Sequence, residues 1–335
     1  MTAPRTGIVL SGFGGLPLGD FLEVARETEA RGYDTAWLGE VSGADAVTLA
    51  TLVLGATGRL RAGTGVVPVQ TRTPVLLGLT AASLDRMAGS RFTLGLGLSS
   101  RVIVEQWHGR HFSPSLAQLR EAVQIIRLVT AGERVTFEGR FYRVRNFRMT
   151  APPPTAPPRI VLAALGPEML ELAGEIADGV LLNWIAPETV PQSMKHLETG
   201  ARRAGRTLAG FEVAAFIRTC VTDDPEAGDR ALARDLTGYA VIDTYASFFR
   251  ATGFGAEVDA VNAAWNAGDR AGAVRHISPR LLETLGVVGP APACRDRIAE
   301  FARAGVTMPV ILPFPPAGAD VDAQAGLRRT LRAFP

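Results

Sequence analysis

Clusters of glycine and small hydroxyl residues, each placed at the end of a short apolar run, are the positions in this sequence best suited to chemistry. One is Gly63-Thr-Gly-Val-Val-Pro-Val-Gln-Thr-Arg-Thr-Pro74. Two glycines on a β-branched run, Gly63 and Gly65, imply a bulge or the close approach of another group to the backbone. Tight packing at a corner of the fold accounts for the same residues. A second cluster is Gly95-Leu-Gly-Leu-Ser-Ser-Arg101. Its small residues, hydroxyls and arginine can build a phosphate nest from backbone N–H groups, although the third glycine of a G-x-G-x-x-G turn is missing. A third cluster, Ala163-Ala-Leu-Gly-Pro167, opens a helix. Exposed amides and the positive dipole end suit an anion at that helix start, and a plain Gly-Pro start explains the same residues about as well.

Ionisable candidates are fewer. Glu40 ends the run Trp37-Leu-Gly-Glu40, where a carboxylate can act as acid or base, position a ring, or form a surface ion pair. His108 and His111 follow the second glycine cluster and either reach a substrate or stay in a solvent loop. The four histidines show no HExxH or comparable spacing, so no metal site is expected. Trp184, beside Asn183, either joins the core or walls a cleft. Arg218 interrupts an apolar run and must find an anionic partner or reach solvent. Nothing resembles a nucleophile elbow, a phosphate-binding P-loop or a Ser/His/Asp set.

Short apolar runs alternating with amphipathic stretches must position these residues. The runs are Gly7–Ser11, Thr35–Gly39, Leu60–Val67, Phe92–Leu98, Ile160–Ala164, Gly179–Trp184, Glu212–Val221 and Met308–Leu312. Between them, apolar residues recur at helical spacing, as in Leu116, Leu119, Val123 and Ile126. Asp20 is expected to cap the first helix, with Gly32 ending it. A helix from about Asp320 to Leu331 is expected to close the chain. Alternation of β and α units favours a parallel sheet, and eight such units predict one closed (β/α)8 TIM barrel over residues 1–335. Two insertions are expected. Residues 133–158 read as a hairpin with a proline-rich tail, after strand four, and 225–285 as a helical lid after strand seven. An open doubly wound sheet would use fewer strands and usually begin with a glycine-rich phosphate turn, which strand one lacks.

Composition narrows the function classes. Of 335 residues, 47% are hydrophobic and 20% charged, enough for one large core. A formal net charge of +2 gives no electrostatic footprint for nucleic acid or an anionic membrane. Cys220 and Cys294 fall in no metal-binding spacing and fit a reducing compartment. With neither a signal-peptide pattern nor an apolar run of roughly 18 residues, a cytoplasmic protein is expected.

In this order the segments resemble the luciferase-like flavin and deazaflavin oxidoreductases, the superfamily of bacterial luciferase and the methylenetetrahydromethanopterin reductases. The most specific match runs from Pro152 to Val180, with Ala-Gly-x-x-Ala-Asp-Gly at 173–179. The hairpin step Gly139 to Tyr142, the Trp37…Glu40 strand end and the step Phe301 to Val306 also fit, so the resemblance spans nearly the whole chain. It implies a flavin-like ring across the barrel mouth, and the overall pattern is similar to the branch that uses coenzyme F420, a deazaflavin. In that branch a bulge after strand three carries a non-prolyl cis peptide, which would be Gly65–Val66. The phosphate tail would meet Leu98, Ser99 and Ser100, then Ala163, Ala164 and Gly166. Two departures stand out: Ser99-Ser100 replaces a glycine-rich turn, and Glu40-Val41 replaces the Asp or acid-His pair of many relatives.

The resemblance further implies direct hydride transfer between F420 and a small organic substrate, with residues 225–285 as lid and specificity element. His108, Trp184 and Arg218 would fall on the substrate side. Relatives of this kind are often homodimers. An FMN-dependent monooxygenase using reduced flavin and oxygen is the nearest alternative, and a non-catalytic flavin-binding protein is the second.

Overall fold

The apolar runs form eight parallel strands in the computed structural model, which describes residues 5–113, 115–319 and 321–335. They are β1 (Gly7–Val9), β2 (Thr35–Leu38), β3 (Arg61–Thr64), β4 (Phe92–Gly97), β5 (Arg159–Ala163), β6 (Gly179–Asn183), β7 (Glu212–Val221) and β8 (Met308–Pro313). Each pairs in parallel with its successor, and β8 returns to β1 through Val310 opposite Gly7, so the sheet closes. The result is a (β/α)8 barrel.

Strand alternation splits the apolar residues into two cores. Val9, Trp37, Val161, Leu181, Ala214, Phe216, Met308 and Val310 point inward and fill the barrel. Their neighbours Ile8, Leu38, Leu162, Leu182, Ile217 and Ile311 point outward against the helices. At the N-terminal end the barrel is closed by charge. Arg5 bonds Asp34 at 2.9 Å and Glu212 at 2.9 Å, and Arg61 reaches Thr93 at 3.3 Å. Such a plug satisfies the polar groups that the barrel floor would otherwise bury unpaired.

Helix starts mostly follow the capping residues of the sequence. The side chains of Asp45, Thr73, Ser115 and Asp224 each accept a first-turn backbone N–H. The first helix departs from expectation. It spans Leu18–Ala30 with Pro17 at its cap, and Asp20 sits inside the first turn, favoured there by the dipole. Gly32 follows its end at φ 89°, in the left-handed region that glycine adopts freely. The last helix runs Ala323–Arg332, and Asp320 lies outside the described residues.

The hairpin insertion forms antiparallel strands Val135–Glu138 and Arg143–Phe147. Its turn is tied down by Glu121, whose carboxylate accepts the N–H groups of Arg140, Phe141 and Tyr142 at 2.8, 2.9 and 3.1 Å. After β7 come helices Pro225–Ala240, Asp243–Phe249, Gly255–Asn266, Arg270–Arg275 and Pro279–Leu285. They have their own core, in which Leu236, Phe249, Phe254, Val258, Val261 and Leu281 pack around Trp184. The insertion does not end as helix. Gly286–Gly289 forms a strand beside Arg218–Val221, on the edge of β7 that β6 leaves open beyond Phe216. No described helix is long and apolar enough to cross a membrane.

Candidate functional site at the barrel mouth

One alternation step beyond the packed interior, each strand presents a further inward position at its C-terminal end. These positions are Ser11, Gly39, Gly65, Gly97, Ala163, Asn183, Arg218 and Leu312. Five consecutive members of the ring, from Ser11 to Ala163, are small. The opposite arc carries the bulk and the charge. One half of the mouth is therefore a shallow shelf, and the other is a wall.

The shelf is shaped by an extra residue in the third strand. Ala62 and Gly63 lie opposite Phe92 and Thr93, but Val67 and Pro68 lie opposite Leu96 and Gly97, so the register slips by one. This is a bulge. The Thr64 hydroxyl donates to the Gly95 carbonyl at 2.8 Å and accepts the Gly95 N–H at 2.8 Å, bridging the gap that the bulge opens. Within the bulge the Gly65–Val66 peptide is cis. Gly65 N–H donates to Leu38 at 2.7 Å, and a Cβ on Gly65 would stand 2.6 Å from the Phe216 ring. Val66 lies over Gly97, whose Cβ would stand 2.8 Å from Val66 Cγ2. Val66 thus forms the lid of the barrel interior and the floor of the mouth.

Beside the shelf lie two runs of backbone amides. Among the described residues, the N–H groups of Leu98, Ser99 and Ser100 have no hydrogen-bond acceptor. The chain then turns into an i→i+5 helix, Val102–Trp107, marked by His108 N–H donating to Ile103 at 3.1 Å. On the neighbouring strand, Ala164 N–H is taken by Leu181 at 3.2 Å, but Gly166 caps the helix Pro167–Ile176 with no side chain serving its first turn. Gly97 and Ala163 adjoin, so the two amide runs face the same corner. Clustered free N–H groups at two adjacent helix starts make a positive pocket for an oxyanion.

Glu40 is held rather than free. Arg72 donates to its two oxygens at 3.2 and 2.7 Å and also pairs with Asp45, the cap of helix Ala46–Ala56. The carboxylate hydrogen bonds raise the Arg72 guanidinium above its usual pKa. The sequence singles out Glu40 but not Arg72, whose role depends on the loop returning to strand two. His108 is exposed at the end of the i→i+5 turn.

Trp184 and Arg218 meet in the wall. Arg218 is 3% exposed, and its guanidinium lies 3.6 Å from the Trp184 ring centre and 5.0 Å from that of Tyr239. Its Nε donates to Asp235 at 3.1 Å and its Nη1 donates to Asn183 Oδ1. Asn183 in turn donates to the Tyr245 hydroxyl at 2.9 Å, a phenol that burial pushes up to about 12. Trp184 has φ 52°, uncommon for a bulky residue. The anionic partner that Arg218 required is Asp235, supplied by the insertion. No group of three or more His, Cys, Asp or Glu among the described residues could hold a metal.

A cavity of about 600 Å³ lies away from the mouth, lined by Val221, Arg328, Arg329 and Arg332. Those arginines are already paired with Glu27 and Asp223, so it presents no unclaimed charge.

Comparison with known proteins follows the same geometry. The family model described as luciferase-like monooxygenase matches residues 3–308. A protein of Mycobacterium tuberculosis named as a coenzyme F420-dependent oxidoreductase is 32% identical, over 92% of this chain and 94% of its own length. The 5,10-methylenetetrahydromethanopterin reductase of Archaeoglobus fulgidus is 26% identical, over 84% of this chain and 86% of its own. The solved F420-dependent tetrahydromethanopterin reductase of Methanopyrus kandleri superposes with a TM-score of 0.76 at 22% identity, covering 92% of this chain and 93% of that one.

Proposed function

The chain belongs to the luciferase-like monooxygenase family, and from that premise we propose that it is a coenzyme F420-dependent oxidoreductase acting on a small organic substrate. The observation that carries the reading is the pairing of a small-residue shelf, Ser11 to Ala163, with the unclaimed amides of Leu98, Ser99 and Ser100. A planar tricycle with an anionic tail fits that pairing. The shelf takes a flat face without side-chain collision, and the amide corner takes the phosphate.

When bound, a deazaflavin supplies hydride at its ring carbon and does not readily activate oxygen. The protein's own part is placement. Val66, seated on the packed interior, supports one face of the site, and Gly97 leaves room for Val66 to lie flat. Ser99 and Ser100 hold the tail end, with Gly166 across from them. Arg218 and Trp184 wall the side from which the substrate enters, and His108 stands at its exposed edge. The helices after β7 cover that side and exclude water, so that donor and acceptor meet at near-attack distance. Glu40 holds Arg72 at the rim. The family also contains enzymes that use FMN, and the same shelf accepts an isoalloxazine.

Titration of the purified protein with F420 and, separately, with FMN tests the reading. Saturable F420 binding, followed by substrate-dependent change in the deazaflavin absorbance, is expected. Tight FMN binding with none of F420 would replace this reading by the flavin monooxygenase, and binding of neither would end both.

A further inference from the structure

We propose, building on the coenzyme-binding reading above, that residues 101–113 form the moving cover of the mouth and close Trp107 over a bound coenzyme, while the insertion after β7 stays in place. The segment follows directly on Ser100, the last of the three unclaimed amides at the phosphate corner. Its bonding is self-contained. Ile103 N–H donates to the Ser100 hydroxyl at 3.4 Å, and Val104 N–H to the Ser100 carbonyl at 3.0 Å. Beyond that stem, His108 N–H returns to Ile103 at 3.1 Å, Arg110 N–H to Val104 at 2.9 Å and Phe112 N–H to Glu105 Oε1 at 3.2 Å. Arg101 pairs with Glu105 at 2.8 Å, and its guanidinium lies 5.0 Å from the Phe112 ring centre. Among the described residues, no hydrogen bond or ion pair joins 101–113 to any part of the chain but Ser100. Val104 is its one buried residue.

A segment built this way has little to break when it moves. Local opening costs least where few apolar contacts and few outside hydrogen bonds resist it. The helix Val102–Trp107 bonds i→i+5, a form found mostly as single turns and often at functional sites. Val102 and Trp107, five positions apart on it, are 44% and 53% exposed. Two large apolar side chains held in water beside a ligand corner gain burial once a ring lies there. Helical rise puts Trp107 roughly 8–10 Å along the axis from Ser100, about the length of a planar tricycle. The insertion after β7 is built the opposite way. Trp184, a barrel residue 1% exposed, sits within its core. Asp235 and Tyr245 tie it to Arg218 at 3.1 Å and to Asn183 at 2.9 Å, and Gly286–Gly289 pairs with four residues of β7. Lifting it would uncover Trp184 and unpair Arg218.

Hydrogen exchange followed by mass spectrometry tests the division. In the free protein, amides of 101–113 are expected to exchange at least about tenfold faster than those of the helices in 225–285. Saturating F420 should slow 101–113 at least about tenfold and change 225–285 by less than about twofold, and FMN serves if it alone binds. Trp107→Ala should speed coenzyme dissociation at least about tenfold and leave the association rate within about threefold of wild type. Its melting temperature should match wild type, since a half-exposed side chain contributes little to the fold. Equal exchange of the two segments in the free protein overturns the proposal. So does coenzyme that protects 225–285 but not 101–113, or a Trp107→Ala protein that holds coenzyme as long as wild type. Any of those results with coenzyme bound removes this proposal and leaves the functional reading standing. Binding of neither F420 nor FMN removes both.

Discussion

The hydroxyl of Tyr142, at the tip of the hairpin insertion, donates to the carbonyl of Val69 at 3.0 Å. Val69 N–H in turn donates to Gly97 at 3.1 Å, so the hairpin grips the loop whose Val66 floors the mouth. Tyr142→Phe removes one hydroxyl and leaves the ring packing intact. A stability loss of about 1 kcal/mol is expected from denaturant unfolding. Coenzyme affinity should fall several-fold, because the loop loses its outer anchor. An affinity equal to wild type would show that the loop holds its shape without the hairpin.

Glu40 and Arg72 give a second test. Both oxygens of Glu40 already accept from Arg72, at 3.2 and 2.7 Å. Glu40→Gln should therefore lower stability by about 1–3 kcal/mol while leaving kcat within about threefold of wild type. A drop of a hundredfold or more in kcat, with the pH profile losing a limb, would instead make Glu40 the proton donor of the reaction.

Glu40 is legible in the sequence and Arg72, which holds it, is not. The strands were legible because each is a short apolar run beside glycine or proline, and alternation alone divides inner from outer residues. Leu98 to Ser100 and Ala163 to Gly166 were legible as strand ends, since a barrel puts its site there. Arg72 and Tyr142 were not, because their roles depend on contacts 32 and 73 positions away in the chain. Gly286–Gly289 escaped because a four-residue Gly-Val-Val-Gly run has too little periodicity to stand apart from the helix before it. Arg218 was visible as an anomaly, but its partner Asp235 lies on a helix whose placement the sequence does not encode locally.

Alkaline pH should unfold the protein over a defined window. Burial pushes the Tyr142 and Tyr245 phenols up to about 12 from 10.0, and raises Tyr33 as well. It also pushes the Cys294 thiol up to about 11 and Cys220 to about 12, from 9.0. In each case the folded state keeps a proton that the unfolded state gives up, so stability falls as pH rises. The decline should begin near pH 9 with the thiols, steepen above 10 with the phenols, and continue past 12 while the buried Tyr33 phenol still holds its proton. Chemical denaturation at stepped pH, with phenolate absorbance followed in parallel, measures it. A Tyr142 or Tyr245 phenol titrating near 10 in the folded protein would contradict the burial.

Ser99 lies in the amide corner with its own N–H unclaimed. Ser99→Ala keeps that N–H and should change coenzyme affinity by less than about threefold. Ser99→Glu sets a carboxylate against the phosphate, and even a few ångströms of screened separation costs about 1–4 kcal/mol. Affinity should therefore drop at least about fivefold, with more loss at low salt. Unchanged binding by the Glu variant would take Ser99 out of the site.

Gly97 offers the sharpest separation of fold from site. A Cβ there would stand 2.8 Å from Val66 Cγ2 and 3.4 Å from Ala163 Cβ. Val66 is short and β-branched, so it cannot swing aside at the end of a flexible chain. It must rise toward the mouth. Overpacking of this kind costs about 1–3 kcal/mol, which a barrel of this size should survive. The raised Val66 takes up space that a planar ring needs, so Gly97→Ala should bind coenzyme more than about tenfold less tightly while keeping a native circular dichroism spectrum. Gly166→Ala is the counterpart. Its Cβ would meet nothing within 4 Å, so stability should not change, and affinity should fall only if the coenzyme's anion reaches that helix start. Full affinity in Gly97→Ala would mean that the ring does not rest above Val66, and the shelf would then serve some other ligand.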